Sequence, residues 1–121
     1  MTNLKRAAVA AALTGLSCGA MANWELVQTN DEAKRYYDAA SVERTGTVVT
    51  FWHLLDLGTT SMAWQNQVDC KRKSRSRNLH AIVYLGGMGI GRGAELPSDR
   101  KWESIPPQSP VNQIVEVVCK T

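Results

Sequence analysis

The sequence contains no long apolar run. Its longest apolar segment, residues 7–16, has about ten residues, whereas a membrane-spanning helix needs roughly 20. No internal repeat, low-complexity linker or second apolar span follows it. These absences predict one small domain, with no transmembrane span in the mature chain.

Residues that carry catalysis or bind metals are scarce. The two histidines, His53 and His80, stand 27 positions apart, and neither has a metal-ligating partner at a recognisable spacing. We interpret both as structural or surface residues. No set of nucleophile, base and orienting group can be assembled, so we expect neither an enzyme nor a bound metal or cofactor.

A glycine-rich segment, residues 86–93, lacks the spacing of a nucleotide-binding loop. Residues 94–98 after it look like a loop, whereas a phosphate cradle needs the start of a helix. We therefore expect a flexible connection or a bulged strand end, where glycine permits a positive φ.

The first 22 residues have the features of a secretory signal peptide. Lys5 and Arg6 precede the apolar run, and Ala20-Met21-Ala22 has the small residues that leader peptidases recognise. Cleavage after Ala22 leaves one domain, residues 23–121. An uncleaved anchor, a buried helix and lipidation at Cys18 are the alternatives, although Gly15 stands where a lipoprotein signal has a leucine-like residue.

Removal of the signal changes the charge and the cysteine count. The net charge falls from +3 to +1, and Cys18 is lost. Cys70 and Cys119 remain, and two cysteines outside the cytoplasm predict one disulfide, closing a loop of 49 residues. Two separate buried thiols are the alternative.

The densest charge lies in residues 71–77. Five of these seven residues are basic: Lys71, Arg72, Lys73, Arg75 and Arg77. Such a patch attracts polyanions or acidic proteins, or it serves as a solvated strand edge that blocks aggregation. No aromatic residues are interleaved with the cations, so we expect no binding to single-stranded nucleic acid.

The remaining pattern predicts a sheet and a late helix. Strand patterns occupy residues 24–28, 33–37, 47–57, 61–72 and 78–85. The third is apolar on both faces, which places it centrally, and residues 74–76 suggest a hairpin turn between the last two. The turn-like residues 38–41 follow the second strand.

The helix is predicted at the C-terminal end. Ser109 can cap it and Pro110 suits its first position. Apolar residues then recur at helical spacing: Val111, Ile114, Val115 and Val118. Strands followed by one helix predict an α+β domain, with a small antiparallel sheet packed against the helix. We interpret the tryptophans mostly as core residues: Trp24, Trp52, Trp64 and Trp102.

An ordered set of residues along the mature chain resembles the surface-adhesin protein E family of Gram-negative bacteria. The set comprises Trp24, Tyr36-Tyr37-Asp38, Ser41-Val42-Glu43-Arg44, Gly46, Phe51-Trp52, Leu54-Leu55-Asp56, Ser61, Val68-Asp69-Cys70, Tyr84, Met88-Gly89, Gly91, Trp102, Ile105-Pro106-Pro107 and Val118-Cys119. No single element of this set is specific, and the resemblance depends on the order of the whole set, with an Asp-Cys pair in a strand and a terminal Val-Cys pair.

The resemblance implies an exported, disulfide-linked sheet-and-helix domain. It also implies a non-enzymatic surface adhesin that binds host extracellular-matrix or serum proteins. From the local charge, we expect residues 71–77 with nearby aromatic residues to carry the binding. A periplasmic structural or assembly protein without a host ligand is the alternative. The outer cell surface and the periplasm are therefore both expected locations.

The mature N-terminus provides a direct test of the leader. We expect intact-mass analysis of the protein purified from its exporting host to show a chain beginning at Asn23. A lipid-modified Cys18 at the N-terminus would contradict cleavage after Ala22 and assign a membrane anchor instead.

Overall fold

A computed structural model describes residues 22–120. Residues 1–21, which include Cys18, Ala20 and most of the predicted signal peptide, lie outside the described part. Within it, the strands are β1 (Trp24–Thr29), β2 (Lys34–Asp38), β3 (Glu43–Thr45), β4 (Val48–Asp56), β5 (Ser61–Asp69), β6 (Arg72–Tyr84), β7 (Gly93–Leu96) and β8 (Glu103–Ser104), and the helix is α1 (Val111–Cys119).

The strands form one antiparallel sheet in the order β1-β2-β4-β5-β6-β7. Strand β3 also pairs with β4, and β8 pairs with β6. The expected antiparallel sheet with one C-terminal helix is therefore present, although the sheet supplies most of the regular structure. Strand β4 is central, as its continuous apolar run predicted.

The hairpin between β5 and β6 turns earlier than predicted. The turn lies at Cys70 and Lys71, and the basic run belongs to a strand of 13 residues. The Asp69 carboxylate accepts a hydrogen bond from the Lys71 backbone N–H, which stabilises the turn at this point. The expected turn at residues 74–76 was wrong because a dense run of charges resembles a loop, although it can equally line a strand.

Residues 93–96 also form a strand where a loop was expected. Gly93 pairs with Tyr84 and Leu96 with Ala81 at the edge of the sheet. All four residues of β7 are exposed, so this strand lacks the apolar alternation from which strands are recognised. Its pairing with β6 therefore depends on backbone hydrogen bonds that the local sequence does not reveal.

The hydrophobic core lies between one face of the sheet and α1. The core residues are Tyr37, Val49, Phe51 and Val68 from the sheet, Ile105 from the preceding loop, and Ile114, Val115 and Val118 from the helix. A helix of nine residues is too short to be stable alone in water, so its stability depends on this packing. All four tryptophans are half-buried, as an exposed indole edge requires, but none belongs to the core cluster, so their interpretation as mostly core residues was wrong.

The start of α1 agrees with the sequence. The Ser109 Oγ accepts a hydrogen bond from the Val111 backbone N–H at 3.3 Å, and Pro110 has helical φ and ψ angles of −59° and −24°. Ser109 thus caps the helix, and Pro110 occupies a position where a missing N–H costs nothing.

The glycine-rich segment folds against the opposite face of the sheet. The buried Ser61 hydroxyl donates to the Gly86 carbonyl at 2.7 Å and accepts from the Gly89 N–H at 2.8 Å. Gly89 and Gly91 have positive φ angles, which glycine adopts without strain. The segment is a compact turn tied to β5, and its amide groups are used within the protein.

A disulfide joins the two ends of the core. Cys70 at the β5–β6 turn is bonded to Cys119 at the last residue of α1. The bond closes a loop of 49 residues and therefore holds the helix against the sheet from which it draws its stability.

Removing the disulfide is expected to destabilise the domain strongly. The chain-entropy estimate for a loop of this length is roughly 4 kcal/mol, which corresponds to a fall in Tm of about 15 °C or more for a domain of this size. Thermal unfolding of the wild type and of the Cys70→Ser, Cys119→Ser double variant measures this change. Equal Tm values would contradict the prediction.

Candidate binding sites on the two sheet faces

The five predicted basic residues do not form one continuous patch. Lys73 turns toward α1, where its Nζ lies 3.2 Å from Glu116 Oε1. Lys71 and Arg72 are exposed at the hairpin turn. Arg75 and Arg77 lie over the ring of Trp102. The structure therefore separates one neutralised lysine from two arginines that share an aromatic neighbour.

The arginine pair and Trp102 form an ordered cluster on the sheet face opposite α1. The guanidinium carbons of Arg77 and Arg75 lie 4.9 and 5.8 Å from the centre of the indole ring, within the range of cation–π attraction. Arg77 Nε also donates to Gln67 Oε1 at 2.8 Å, and Gln67 donates in turn to Thr50. Arg77 is consequently held in place while its guanidinium remains partly exposed.

Trp102 was not predicted to accompany the basic residues. It lies 25 positions beyond Arg77 in the chain, and the pairing of β8 with Arg75 and Ser76 brings it there. A strand of two residues gives no recognisable alternation. The absence of interleaved aromatic residues therefore holds only along the local sequence, and the fold supplies a neighbouring one.

The same face continues toward a second aromatic pair. The rings of Trp52 and His80 stack with centroids 6.3 Å apart and planes 12° apart. His80 Nδ1 also contacts a carboxylate oxygen of Glu95 on the neighbouring strand. This face thus presents half-buried aromatic rings, two arginines and polar glutamine side chains.

The face that carries α1 has a different feature, an open cavity of about 410 Å³. Its lining includes His53, Leu55, Trp64 and Asn66 from the two central strands and Arg35 from β2. The loop that precedes α1 forms the other wall, with Glu103 at one side. The cavity therefore lies where the helix no longer covers the sheet.

His53 is the most unusual residue in this cavity. It is 5% exposed and stacks on Trp64, with ring centroids 4.9 Å apart. Neither ring nitrogen has a hydrogen-bond partner within residues 22–120, and the Oδ1 of the neighbouring Asn66 also has none. The sequence predicted His53 to be a structural or surface residue. The one signal of a buried, unpaired imidazole was the position of a polar ring on a strongly apolar strand.

The surroundings of His53 keep its ring neutral. Burial lowers the pKa of His53 to about 3, and the positive charge of Arg35 acts in the same direction. The Asn66 amide opposes this shift without reaching hydrogen-bond geometry. At neutral pH one ring nitrogen is therefore a donor and the other an acceptor.

Residues 22–120 contain neither a metal-binding cluster nor a membrane-spanning helix. No group of three His, Cys, Asp or Glu side chains in this part of the chain is arranged to hold a metal ion. No helix there has both the length and the hydropathy needed to cross a bilayer.

Comparison with known proteins identifies the family. A sequence model described as surface-adhesin protein E matches residues 24–120. The chain belongs to the surface-adhesin protein E family. This match covers the whole sheet, the disulfide and α1, and it confirms the resemblance noted from the sequence. No curated protein matches the chain in sequence.

Solved structures of Haemophilus influenzae protein E share the fold. One is similar with a TM-score of 0.66 at 14% identity, covering 81% of this chain and 84% of that chain. A second crystal form has a TM-score of 0.60 at 12% identity, covering 78% and 91%. The structure from non-typeable Haemophilus influenzae has a TM-score of 0.58 at 14% identity, covering 78% and 75%. At such identities the likeness concerns the fold alone.

Acid should destabilise the protein partly through His53. The pKa of His53 is about 3 in the folded chain and about 6.5 in an unfolded one. Between these values the unfolded state binds a proton that the folded state does not, so stability falls as the pH falls through this window. Of the groups around the ring, Arg35 stays charged and Tyr37 stays neutral over this range.

The His53→Phe variant lacks this contribution. For each protein, we measure with denaturant how far the free energy of unfolding falls between about pH 7 and pH 4.5. We expect this fall to be about 2 kcal/mol smaller in the variant than in the wild type. The two proteins differ only at position 53, so the difference between their pH curves reports on His53. Parallel pH curves for the two proteins would contradict the prediction.

Proposed function

We propose that the chain is an exported, non-enzymatic binding module that holds acidic partners on the open face of its sheet. Its partners would be host extracellular-matrix or serum proteins, or other polyanions. The observation that carries this proposal is the cluster of Arg75 and Arg77 over Trp102. Membership of the adhesin family supports a binding role over a catalytic one.

The chemistry of the cluster suits a protein or sulfated-glycan surface. Arginine donates hydrogen bonds in a planar fork that matches carboxylate and sulfate groups. Trp102 adds a rigid apolar surface, and tryptophan and arginine are the residues most enriched at binding hot spots. Lys71 and Arg72 extend the positive charge to the hairpin turn, where they can attract an acidic partner over a longer range.

Lys73 has a different role in this proposal from the one expected of it. Its ammonium group is paired with Glu116 on α1, so it contributes little to the local positive field. We assign it to the contact between sheet and helix and place binding on Lys71, Arg72, Arg75, Arg77 and Trp102.

The proposed location follows from the leader and the disulfide. A signal peptide over residues 1–22 would export the chain, and a disulfide persists in the oxidising compartments beyond the inner membrane. We propose a mature domain beginning at Asn23, in the periplasm or on the outer cell surface.

Neutralising the arginine pair tests the proposal. The Arg75→Gln, Arg77→Gln variant should lose affinity for immobilised heparin and for vitronectin, by about tenfold at low salt. Its retention should also depend less steeply on ionic strength, because fewer charges are screened.

The matched control is the Arg92→Gln, Arg100→Gln variant. It removes the same charge from exposed positions outside the cluster, and it should bind as the wild type does. A Trp102→Ala variant should weaken binding without altering the salt dependence. Equal losses in both double variants would show that only net charge matters and would refute a site at Trp102.

A further inference from the structure

The sheet face that carries α1 is only partly covered. The helix packs on Val49, Phe51 and Val68 and begins at Val111, a residue that itself lines the cavity. Beyond this point the same sheet face forms the floor of a space of about 410 Å³. That volume lies within the range of small-molecule sites in proteins.

Two buried polar side chains in this cavity lack partners. His53 is 5% exposed and Asn66 is 6% exposed, and both ring nitrogens and the amide oxygen are unpaired within residues 22–120. Leaving buried polar groups unpaired is costly, and such groups are rare in folded proteins. A ligand that accepts a hydrogen bond from the protonated ring nitrogen of His53 would remove part of this cost.

A partly buried cation lies beside them. Arg35 lines the cavity from β2, and no carboxylate of residues 22–120 forms an ion pair with it. Burial lowers the pKa of Arg35, which reflects the cost of withdrawing this charge from water. An anionic group bound here would offset that cost with paired hydrogen bonds.

The rest of the lining favours a ligand with an apolar part and no more than one negative charge. Trp64, Leu55 and Met62 supply the apolar floor, and the imidazole of His53 stacks on the indole of Trp64. Glu103 lines the cavity from β8, and β4, β5 and β6 separate that strand from the β2 strand of Arg35. A second negative charge on the ligand would therefore approach a carboxylate.

We propose that this cavity binds a small organic monocarboxylate with a flat apolar body. The carboxylate pairs with Arg35 and accepts a hydrogen bond from the protonated ring nitrogen of His53, and the apolar part lies on Trp64. The site is on the sheet face opposite the Arg75, Arg77 and Trp102 cluster, so it is independent of the function proposed above.

Phenylacetate is a suitable probe, because it joins one carboxylate to one aromatic ring. We expect titration of the isotope-labelled full domain, followed by nuclear magnetic resonance, to show saturable binding with a Kd of about 1 mM. The neutral amide 2-phenylacetamide should bind at least about tenfold more weakly than phenylacetate, and so should acetate, a carboxylate without an aromatic ring. The indole signal of Trp64 should shift, and that of Trp102 should not.

Two variants test the assigned contacts. Arg35→Gln and His53→Phe should each weaken phenylacetate binding at least about tenfold, whereas the control Arg92→Gln should leave it unchanged. His53→Phe keeps a ring against Trp64 while removing the unpaired nitrogens, so its Tm should equal or exceed that of the wild type. If His53→Phe fails to fold, the effect of Arg35→Gln, at a half-buried position, on phenylacetate binding tests the proposal by itself.

Three results would overturn this proposal. They are the absence of saturation up to about 10 mM phenylacetate, equal affinity for phenylacetate and its amide, and unchanged affinity in Arg35→Gln. Shifts confined to the Trp102 signal would likewise overturn it, while leaving the proposed polyanion site standing.

Discussion

The packing of a nine-residue helix against one face of the sheet is the contact on which the rest of the structure depends. Ile114, Val115 and Val118 bury their side chains against Val49, Phe51 and Val68. Neither partner is stable without the other, because the helix is too short and the sheet would expose an apolar face. The disulfide between Cys70 and Cys119 ties both elements together at one end.

This contact makes the two faces of the sheet chemically different. Where the helix packs, the sheet forms a core, and where the helix ends, the same strands form a cavity with a buried histidine. Within residues 22–120, no α-helix covers the opposite face. It carries Trp52, His80, Gln67 and the arginine pair over Trp102 instead. The domain thus presents one recessed surface and one open surface, and each has a chemistry suited to a different class of ligand.

Charge is distributed according to the same arrangement. Along the chain, Lys73, Arg75 and Arg77 are neighbours, yet Lys73 pairs with Glu116 on the helix side while both arginines face the open side. Strand geometry alone would send residues of the same parity to one face. The irregular pairing between Val68 and Asp69 interrupts that alternation near the turn and separates the lysine from the arginines.

Much of the fold was accessible from local pattern. The central strand β4 was recognisable because apolar residues occupy both of its faces, and α1 because Val111, Ile114, Val115 and Val118 recur at helical spacing behind a Ser-Pro start. Both signals arise within a few residues, where periodicity reports directly on burial. The short strands β7 and β8 gave no such signal, since their pairing is satisfied by distant backbone groups.

Local sequence therefore indicated the strands of the central sheet, the helix and its cap, and Cys70 and Cys119 as the cysteines that join sheet and helix. Tertiary structure alone decided which side chains meet. It placed Trp102 next to two arginines, the nearer of which in sequence is 25 positions away. It also left the ring nitrogens of His53 and the amide oxygen of Asn66 unpaired in the cavity that Arg35 lines. The physical reason is that periodicity reports which face a residue occupies, whereas the partners on that face come from strand register and from where the covering helix ends.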